Sequence, residues 1–352
     1  MSQNSLKFPA QKSFLIVGSG DPVKTFLRGL AKFFKGSPVF VISDKECDRA
    51  WSACEKEPIE KVAKENGFEI EFVQDINDKE TIEKIKKRGC NVCFVLGSRW
   101  IFKKEFIEIF NGCVFNYHTS DLPAYRGGGG YRWQVMNEEK NIYIAFHQIA
   151  VEIDKGSVLA MAKKELRAQK NIYPKDIFNQ LYDFTKDYFA EFLEKLSKND
   201  SVILSEQDQA KASYFPLLDN EINGAIDLGW NIKDIKLFIE AFSYPYKGAF
   251  IFYKDRKIFI KEAEISSRKE KYHPFATGLI INKGADFLEM AGSGGCILLK
   301  EICDERGAKL PVSEFKLGDR LSMPGDELLK ARNYRPSNKS FVLKVNNGEN
   351  GK

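Results

Sequence analysis

The chain lacks the features of a membrane or exported protein. Its 352 residues contain no run of about 18 apolar residues, which a spanning helix needs. The opening residues, MSQNSLKFPAQK, have neither the positive flank nor the apolar stretch of a signal peptide. No membrane partner is therefore expected, and we predict a cytoplasmic location.

Charge of one sign, cysteine and histidine are also scarce. The 54 basic and 49 acidic residues leave a net charge of only +5, which gives no electrostatic reason to expect a nucleic-acid partner. Cys90 and Cys93 form a C-x-x-C motif, but zinc wants four ligands, and His118, His147 and His273 have no finger spacing. We predict no metal, buried thiols and a small-molecule partner.

Apolar runs alternate with amphipathic segments over the first hundred residues. The predicted strands are 13–18, 38–43, 68–73 and 91–97, and the predicted helices are 21–34, 58–67 and 77–89. Asp21 is placed to cap the first helix. The turn before it lacks the third glycine of a dinucleotide fingerprint, so it is weak evidence for NAD. The alternation predicts a doubly wound, mostly parallel α/β sheet with ligands at the carboxyl ends of its strands.

The character of the sequence changes after residue 173. A long amphipathic helix over 174–198 is predicted to close the first domain. Short β segments separated by turn residues follow from Ser213 and predict a small antiparallel, OB-like domain. We therefore predict a first domain over 1–212, a β-rich domain over 213–345 and a polar tail over 346–352.

Polar residues follow one of the later apolar runs. Asn116 and His118 are two residues apart, so on a strand both side chains project from one face. Four glycines follow Arg126, and such a backbone can approach a ligand closely. Asp154 lies in a second loop. An amide donor, an imidazole and a carboxylate suit acyl transfer without a covalent enzyme intermediate, although a structural histidine is the alternative.

At these positions the sequence resembles a known family. The segments NYH (116–118), SDLPAYRG (120–127) and IDKGSVL (153–159) resemble the signature of formyltransferases that use 10-formyltetrahydrofolate. That family has tRNA, purine-pathway and sugar members, and YPYKGAF (244–250) is similar to the start of the C-terminal domain in the tRNA and sugar members. The resemblance implies a formyltransferase catalytic domain over 1–212, formyl-folate as donor and no metal.

The resemblance also implies roles for individual residues. Asn116 would hydrogen-bond the formyl oxygen and steady the oxyanion, His118 would take or relay the amine proton, and Asp154 would set the charge of His118. The pterin would lie against two loops. The residues predicted to bind it are Gly97, Ser98, Arg99, Trp100, Val151 and Ile153.

The acceptor is expected to be an amino sugar attached to a nucleotide. The segment after the second strand lacks a basic insertion that would suit tRNA. Asp121 and Lys155 depart from the family pattern and leave the acceptor open. The residues predicted to bind the acceptor are Arg126, Gly127, Tyr131, Arg132 and Trp133.

Three other functions stay open at this point. The first is a methionyl-tRNA formyltransferase, the second a formyl-folate hydrolase, and the third a folate-binding protein without turnover. Oligomeric state is undetermined, with a homodimer as one alternative.

Overall fold

The residues that can be described form two β-sheets with helices packed around them. A computed structural model describes residues 3–51, 54, 56–128, 130–167 and 169–336. The first sheet is mixed and covered by helices, and the second is a curled antiparallel sheet. The predicted fold class is therefore confirmed, whereas the predicted tail at 346–352 lies outside the described residues.

The first sheet contains nine strands among the described residues. They are β1 (Gln3–Lys7), β2 (Phe14–Gly18), β3 (Val39–Ser43), β4 (Glu69–Phe72), β5 (Val92–Leu96), β6 (Val114–His118), β7 (Asn141–Gln148), β8 (Val158–Glu165) and β9 (Ser201–Ser205). Their order is β1-β9-β8-β7-β6-β5-β2-β3-β4. Strands β6 to β4 in that order pair in parallel. Strands β7, β8, β9 and β1 extend this predicted doubly wound sheet with antiparallel pairs.

Helices cover the faces of this sheet, which is why the central strands are apolar throughout. Every residue of β2, β3 and β5 is buried. The helices are α1 (Asp21–Phe33), α2 (Lys45–Trp51), α3 (Ile59–Glu65), α4 (Lys79–Lys87), α5 (Lys104–Glu108), α6 (Gly130–Met136) and α7 (Pro174–Lys198). The prediction that Asp21 caps α1 is wrong. Gly20 holds the cap position, and the buried Asp21 carboxylate accepts a hydrogen bond from the Cys54 amide instead (2.7 Å).

The direction of the strand order reverses beside β2. The chain runs from β2 outward to β3 and β4 on one side, then crosses to β5 and β6 on the other. In open α/β sheets the crevice outside the carboxyl ends of the strands at such a reversal is where ligands bind. The loops that follow Leu96 and His118 lie at this edge.

The second sheet closes into a small barrel. Its elements are α8 (Ile232–Phe242), β10 (Ala249–Tyr253), β11 (Arg256–Ile265), β12 (Ile280–Lys283), β13 (Phe287–Gly292), β14 (Gly295–Cys303) and β15 (Leu321–Ser322), followed by α9 (Gly325–Asn333). The strand order is β12-β13-β14-β11-β10-β15. Backbone hydrogen bonds from Leu321 to Gly278 (2.8 Å) and from Ile280 to Asp319 (2.9 Å) join the two edges. These bonds leave little of either edge strand open.

Two further expectations concern the thiols and the membrane. Cys90 and Cys93 are buried, and burial raises the pKa of both thiols, so they behave as core residues. The prediction of buried thiols is wrong for Cys54, which is exposed. None of the helices in the described part of the chain combines the length and apolarity that crossing a membrane requires.

Candidate active site

A cleft of about 1170 Å³ opens at the carboxyl ends of β5 and β6. It exceeds the usual size of a pocket for one drug-sized ligand. Asn116, His118 and Asp154 all line it. The three residues that the sequence singled out are therefore brought together in one concave site.

The side chains of β6 point alternately into the core and into the cleft. Phe115 and Tyr117 point to one face, where they pack against other aromatic residues of the core. Asn116 and His118 point to the opposite face and into the cleft. The packing of Phe115 and Tyr117 in the core thus fixes the positions of Asn116 and His118 in the cleft.

Asp154 reaches these residues from the turn after β7. Its backbone has a φ of 53°, in the left-handed region that is sparsely used by residues other than glycine. One carboxylate oxygen lies 3.8 Å from Nδ1 of His118 and accepts a hydrogen bond from the Gly127 amide (2.8 Å). The other lies 3.4 Å from Nε2 of His147. The carboxylate is therefore held between two imidazoles.

His147 is a member of this cluster that the sequence analysis missed. It lies on β7 directly opposite Asn116, and its Nε2 is 3.2 Å from the Asn116 amide nitrogen. Its Nδ1 donates a hydrogen bond to the Gln148 carbonyl (2.9 Å). Nε2 of neutral His147 can therefore accept a hydrogen bond from the Asn116 amide, whereas Nε2 of protonated His147 can donate a hydrogen bond to Asp154.

The hydrogen bonds of His118 determine which nitrogen faces the cleft. Its Nε2 is 2.8 Å from the Tyr125 carbonyl and 2.7 Å from the Ser120 hydroxyl. A carbonyl only accepts, so Nε2 carries the proton in the neutral ring. Nδ1 is then the basic nitrogen, and it is the one directed at Asp154. Ser120 is itself buried and fixes the ring from behind.

The environment sets the charges of this cluster. Burial lowers the pKa of His118, although the negative charge of Asp154 partly opposes that effect. Burial raises the pKa of Asp154, but the hydrogen bond with His147 and the charge of His118 more than offset it and hold that pKa below its usual range. The site therefore contains an ionised carboxylate beside a neutral imidazole that can accept a proton.

The Asp154 turn is held by a second set of buried side chains. The Gln207 amide nitrogen donates to the carbonyls of Asp154 and Gly156, both at 2.7 Å. The Gln207 side-chain oxygen accepts from Nε (3.0 Å) and Nη2 (2.7 Å) of Arg126. Arg126 thus fixes the turn indirectly, and the next residue, Gly127, contacts the Asp154 carboxylate.

Two glycines permit the close approaches around this turn. Gly127 has a φ of +101°, and a Cβ there would lie 2.3 Å from the Phe215 carbonyl oxygen. A Cβ on Gly156 would lie 1.9 Å from the Gln148 carbonyl oxygen. A side chain at Gly127 would displace the amide that binds Asp154, and a side chain at Gly156 would displace the turn that carries Asp154.

The residues predicted to bind the pterin all line the cleft. They are Gly97, Ser98, Arg99, Trp100, Val151 and Ile153. Val151 is 72% exposed and Ile101 60% exposed, which leaves apolar surface at the rim for a flat ring. Arg99 forms an ion pair with Asp44, so its charge is used within the protein.

Four of the five predicted acceptor-binding residues lie outside the lining, and only Gly127 is part of it. Arg126 is buried against Gln207. Arg132 donates to the Leu218 carbonyl and stacks on Tyr246.

The two aromatic residues of that set are also engaged inside the protein. Trp133 donates to the Pro216 carbonyl (2.9 Å). Tyr131 packs against Phe178. These four side chains join the cleft loops to the rest of the protein, and acceptor binding by Arg126, Tyr131, Arg132 and Trp133 stays a prediction.

The departures from the family pattern also lie away from the reacting groups. Lys155 pairs with Glu152 (2.7 Å) on the surface. Asp121 does not line the cleft either, and burial together with the charge of Glu139 raises its pKa. Lys155 and Asp121 therefore have Glu152 and Glu139, respectively, as charged neighbours.

The same cluster has ligand types that metals favour. Ligand atoms of His118, His147 and Asp154 lie within 4.8 Å of one another. Hydrogen bonds to Tyr125 and Gln148 already engage one nitrogen of each imidazole. The other nitrogen of each imidazole faces the Asp154 carboxylate, where it can take up or release a proton, so we interpret the cluster as a proton-transfer network.

Comparison with known proteins identifies the class. Residues 12–192 match the family described as formyl transferase, and residues 220–320 match the formyl transferase C-terminal domain. The first match alone spans more than half of the chain, so the chain belongs to the formyltransferase family. It is an N-formyltransferase, as predicted from the sequence.

Individual relatives differ in their acceptors. Methionyl-tRNA formyltransferase of Clostridium tetani is 28% identical over 84% of this chain and 93% of its own length. The crystal structure of WlaRD, a sugar 3N-formyl transferase with dTDP and 5-N-formyl-THF, covers 83% of this chain and 98% of its own at 19% identity (TM-score 0.61). An N-formyltransferase from Helicobacter canadensis, in complex with folinic acid and dTDP-3-aminofucose, covers 82% and 99% at 20% identity (TM-score 0.58). The two structural likenesses support the fold.

Proposed function

We propose that this formyltransferase moves the formyl group of 10-formyltetrahydrofolate to the amino group of a nucleotide-linked amino sugar. The observation that carries the reaction is the convergence of Asn116, His118 and Asp154 in one cleft. The acceptor is the finer part of the proposal and is argued separately below.

The chemistry follows from the protonation states of the cluster. The Asn116 amide donates a hydrogen bond to the formyl oxygen as negative charge develops there. His118 takes the proton of the attacking amine at Nδ1, since its Nε2 proton is bound to the Tyr125 carbonyl. Asp154 stabilises the resulting imidazolium from 3.8 Å. The imidazolium then gives its proton to N10 of the folate as the bond between the formyl carbon and N10 breaks, which releases tetrahydrofolate.

The part of the cleft formed by the 97–101 and 151–153 loops suits formyl-folate. Trp100, Ile101, Val151 and Ile153 offer apolar surface, and the main chain at Gly97 offers hydrogen-bonding groups for a flat heterocycle. We propose that this part holds the pterin and directs the formyl group toward Asn116.

A small acceptor is favoured by the distribution of charge. Tight tRNA binding needs many phosphate contacts from unpaired cations. Around the cleft, Arg99 pairs with Asp44, Lys155 pairs with Glu152, and Arg126 and Arg132 bind amide and carbonyl oxygens, which leaves Arg335 as the cation without an ion pair in the described lining. A nucleotide-linked sugar needs far fewer cationic contacts.

Methionyl-tRNA is the second candidate acceptor. The relative from Clostridium tetani is named for that substrate, and the similarity spans nearly its whole length. Formyl-folate hydrolysis is the remaining alternative, because water can replace the amine in the same cleft. The cytoplasmic location stays a prediction, and the homodimer stays one alternative for the oligomeric state.

A panel of amines offered with 10-formyltetrahydrofolate tests the proposal. It contains dTDP-3-aminofucose, other nucleotide-linked amino sugars, an unlinked amino sugar and methionyl-tRNA. We expect formylation of a nucleotide-linked sugar with a weak dependence on salt. Formylation of methionyl-tRNA alone, with a steep dependence on salt, would show that the acceptor is tRNA and not a sugar. Formate release without any amine would identify a hydrolase.

Two histidine variants test the mechanism. His118→Ala should lower kcat by ~100-fold or more, the usual contribution of a positioned proton-transfer group. His273→Ala is the matched control, because this histidine lies outside the cleft lining and caps a short turn at Pro274–Ala276. Equal turnover of the two variants would contradict the role of His118.

A further inference from the structure

The chain that follows the barrel returns to the catalytic cleft. The Asn223 amide nitrogen donates to the carbonyls of Ala331 (2.6 Å) and Tyr334 (3.1 Å) at the end of α9. These two bonds set the path of the next residues. Arg335 and Pro336 consequently line the cleft.

Arg335 is an oriented cation. Its Nη1 donates to the carbonyls of Arg332 (2.8 Å) and Tyr334 (2.9 Å). In the part of the chain that the structure describes, no ion pair includes Arg335, whereas Arg332 pairs with Asp227. The fork formed by Nε and Nη2 therefore remains for a ligand oxygen.

The charge of Arg335 is not balanced within the described lining of the cleft. The other arginine there, Arg99, pairs with Asp44. Of the acidic lining residues, Asp154 faces the two imidazoles and Asp75 accepts hydrogen bonds from Asn77. An anionic ligand would meet a matching charge at Arg335.

Another part of the cleft lining is connected to Asp154. Tyr214 and Leu217 line the cleft and pack against Gly127 and Gly128. The amide of Gly127 bonds the Asp154 carboxylate. The loops assigned to the pterin, 97–100 and 151–153, belong to other parts of the lining. Arg335 and Pro336 likewise belong to neither pterin loop, which is the reason to consider the acceptor as their ligand.

We propose that Arg335 binds a phosphate group of the acceptor and is a specificity residue of this enzyme. The inference rests on the proposed function, since it requires a phosphorylated amine. A guanidinium fork matches phosphate geometry. The glutamate carboxylates of the folate are the other possible source of an anion, and the experiment separates the two.

The test compares Arg335→Gln with Arg332→Gln in the full chain. Steady-state KM is measured separately for 10-formyltetrahydrofolate and for the acceptor, with dTDP-3-aminofucose or methionyl-tRNA used according to the amine panel. An unlinked amino sugar serves as the acceptor without phosphate. Binding of folinic acid is measured by calorimetry for each protein.

We expect Arg335→Gln to raise the KM of the phosphorylated acceptor about 10-fold or more, as loss of one charge-assisted hydrogen bond predicts. The KM for formyl-folate, the affinity for folinic acid and the rate with the unlinked sugar should stay unchanged. Arg335→Lys should recover part of the loss, and Arg332→Gln should resemble the wild type.

Two outcomes overturn the proposal. A raised KM for formyl-folate alone would assign Arg335 to the folate tail, and an unchanged KM for both substrates would make it a surface residue. Failure of the proposed function has a different signature, because the wild-type protein would then formylate none of the phosphorylated amines while the folinic acid titration still reports an intact fold.

Discussion

Gln207 offers the sharpest test of how the catalytic carboxylate is held. It lies outside the cleft lining, yet it donates to two carbonyls of the Asp154 turn and accepts from Arg126. Gln207→Glu keeps the acceptor for Arg126 but replaces the donor with an oxygen. That oxygen would face the carbonyls of Asp154 and Gly156, which now lie 2.7 Å away.

The expected cost can be counted from these contacts. Two buried hydrogen bonds are lost at about 1 kcal/mol each, and an unsatisfied buried acceptor adds about 1–3 kcal/mol. A stronger pair with Arg126 offsets part of this, which leaves about 2–4 kcal/mol of lost stability. Displacement of the Asp154 turn by ~1 Å should lower kcat by ~100-fold.

Gln209→Glu is the matched control. Gln209 also accepts from Arg126 (3.1 Å) and donates to the Gln207 carbonyl (3.0 Å), but it has no contact with the Asp154 turn. The change removes one hydrogen bond and creates an ion pair, so stability and kcat should stay close to those of the wild type. Urea unfolding and tetrahydrofolate release measure the two effects. A kcat for Gln207→Glu equal to that of Gln209→Glu would refute the reasoning.

Three more predictions concern the imidazole cluster. The acid limb of kcat/KM should lie below pH ~6.5, the ordinary pKa of histidine, because burial lowers the pKa of His118. Asp154→Asn removes the charge that raises this pKa, so a pH–rate profile should show the limb at still lower pH; a shift to higher pH would contradict the assignment. His147→Leu should lower kcat/KM ~10- to 100-fold through misplaced Asn116 and Asp154, and an unchanged value would make His147 dispensable. A chelator should leave activity unchanged, whereas added Zn²⁺ should inhibit through the three ligand groups, and Zn²⁺ binding by calorimetry should be lost in His118→Ala.

The parallel half of the fold was predictable because its strands carry their own signal. The apolar runs of β2, β3 and β5 are buried on both faces, and each is followed by an amphipathic segment. β1 and β9 were not predicted. They pair with each other across nearly 200 residues, as Gln3 with Ser205 and Lys7 with Ser201. No local pattern predicts a pairing between such distant short segments.

The convergence of Asn116, His118 and Asp154 was predictable because residue types and order carry the resemblance, but the position of His147 beside them was not. His147 is part of an apolar strand, IYIAFHQ, whose pattern alone predicts a core position. Its role depends on β7 pairing antiparallel with β6 so that it faces Asn116. An assumption that β6 and β7 are neighbouring strands could have indicated this role. His147 would then lie close to Asn116, on the strand that leads to Asp154 seven residues later.

The predicted acceptor residues that lie outside the cleft lining suggest a hypothesis about specificity. Arg132 and Trp133 follow the glycine run, but α6 turns both toward carbonyls of the 216–218 segment, which links the two sheets. Those contacts hold the wall that Pro216 and Leu217 present to the cleft. Together with Arg335, this wall belongs to stretches more than 50 residues from the catalytic motifs. We therefore expect the motifs to determine the reaction and the packing of the second half of the chain onto the first to determine the acceptor.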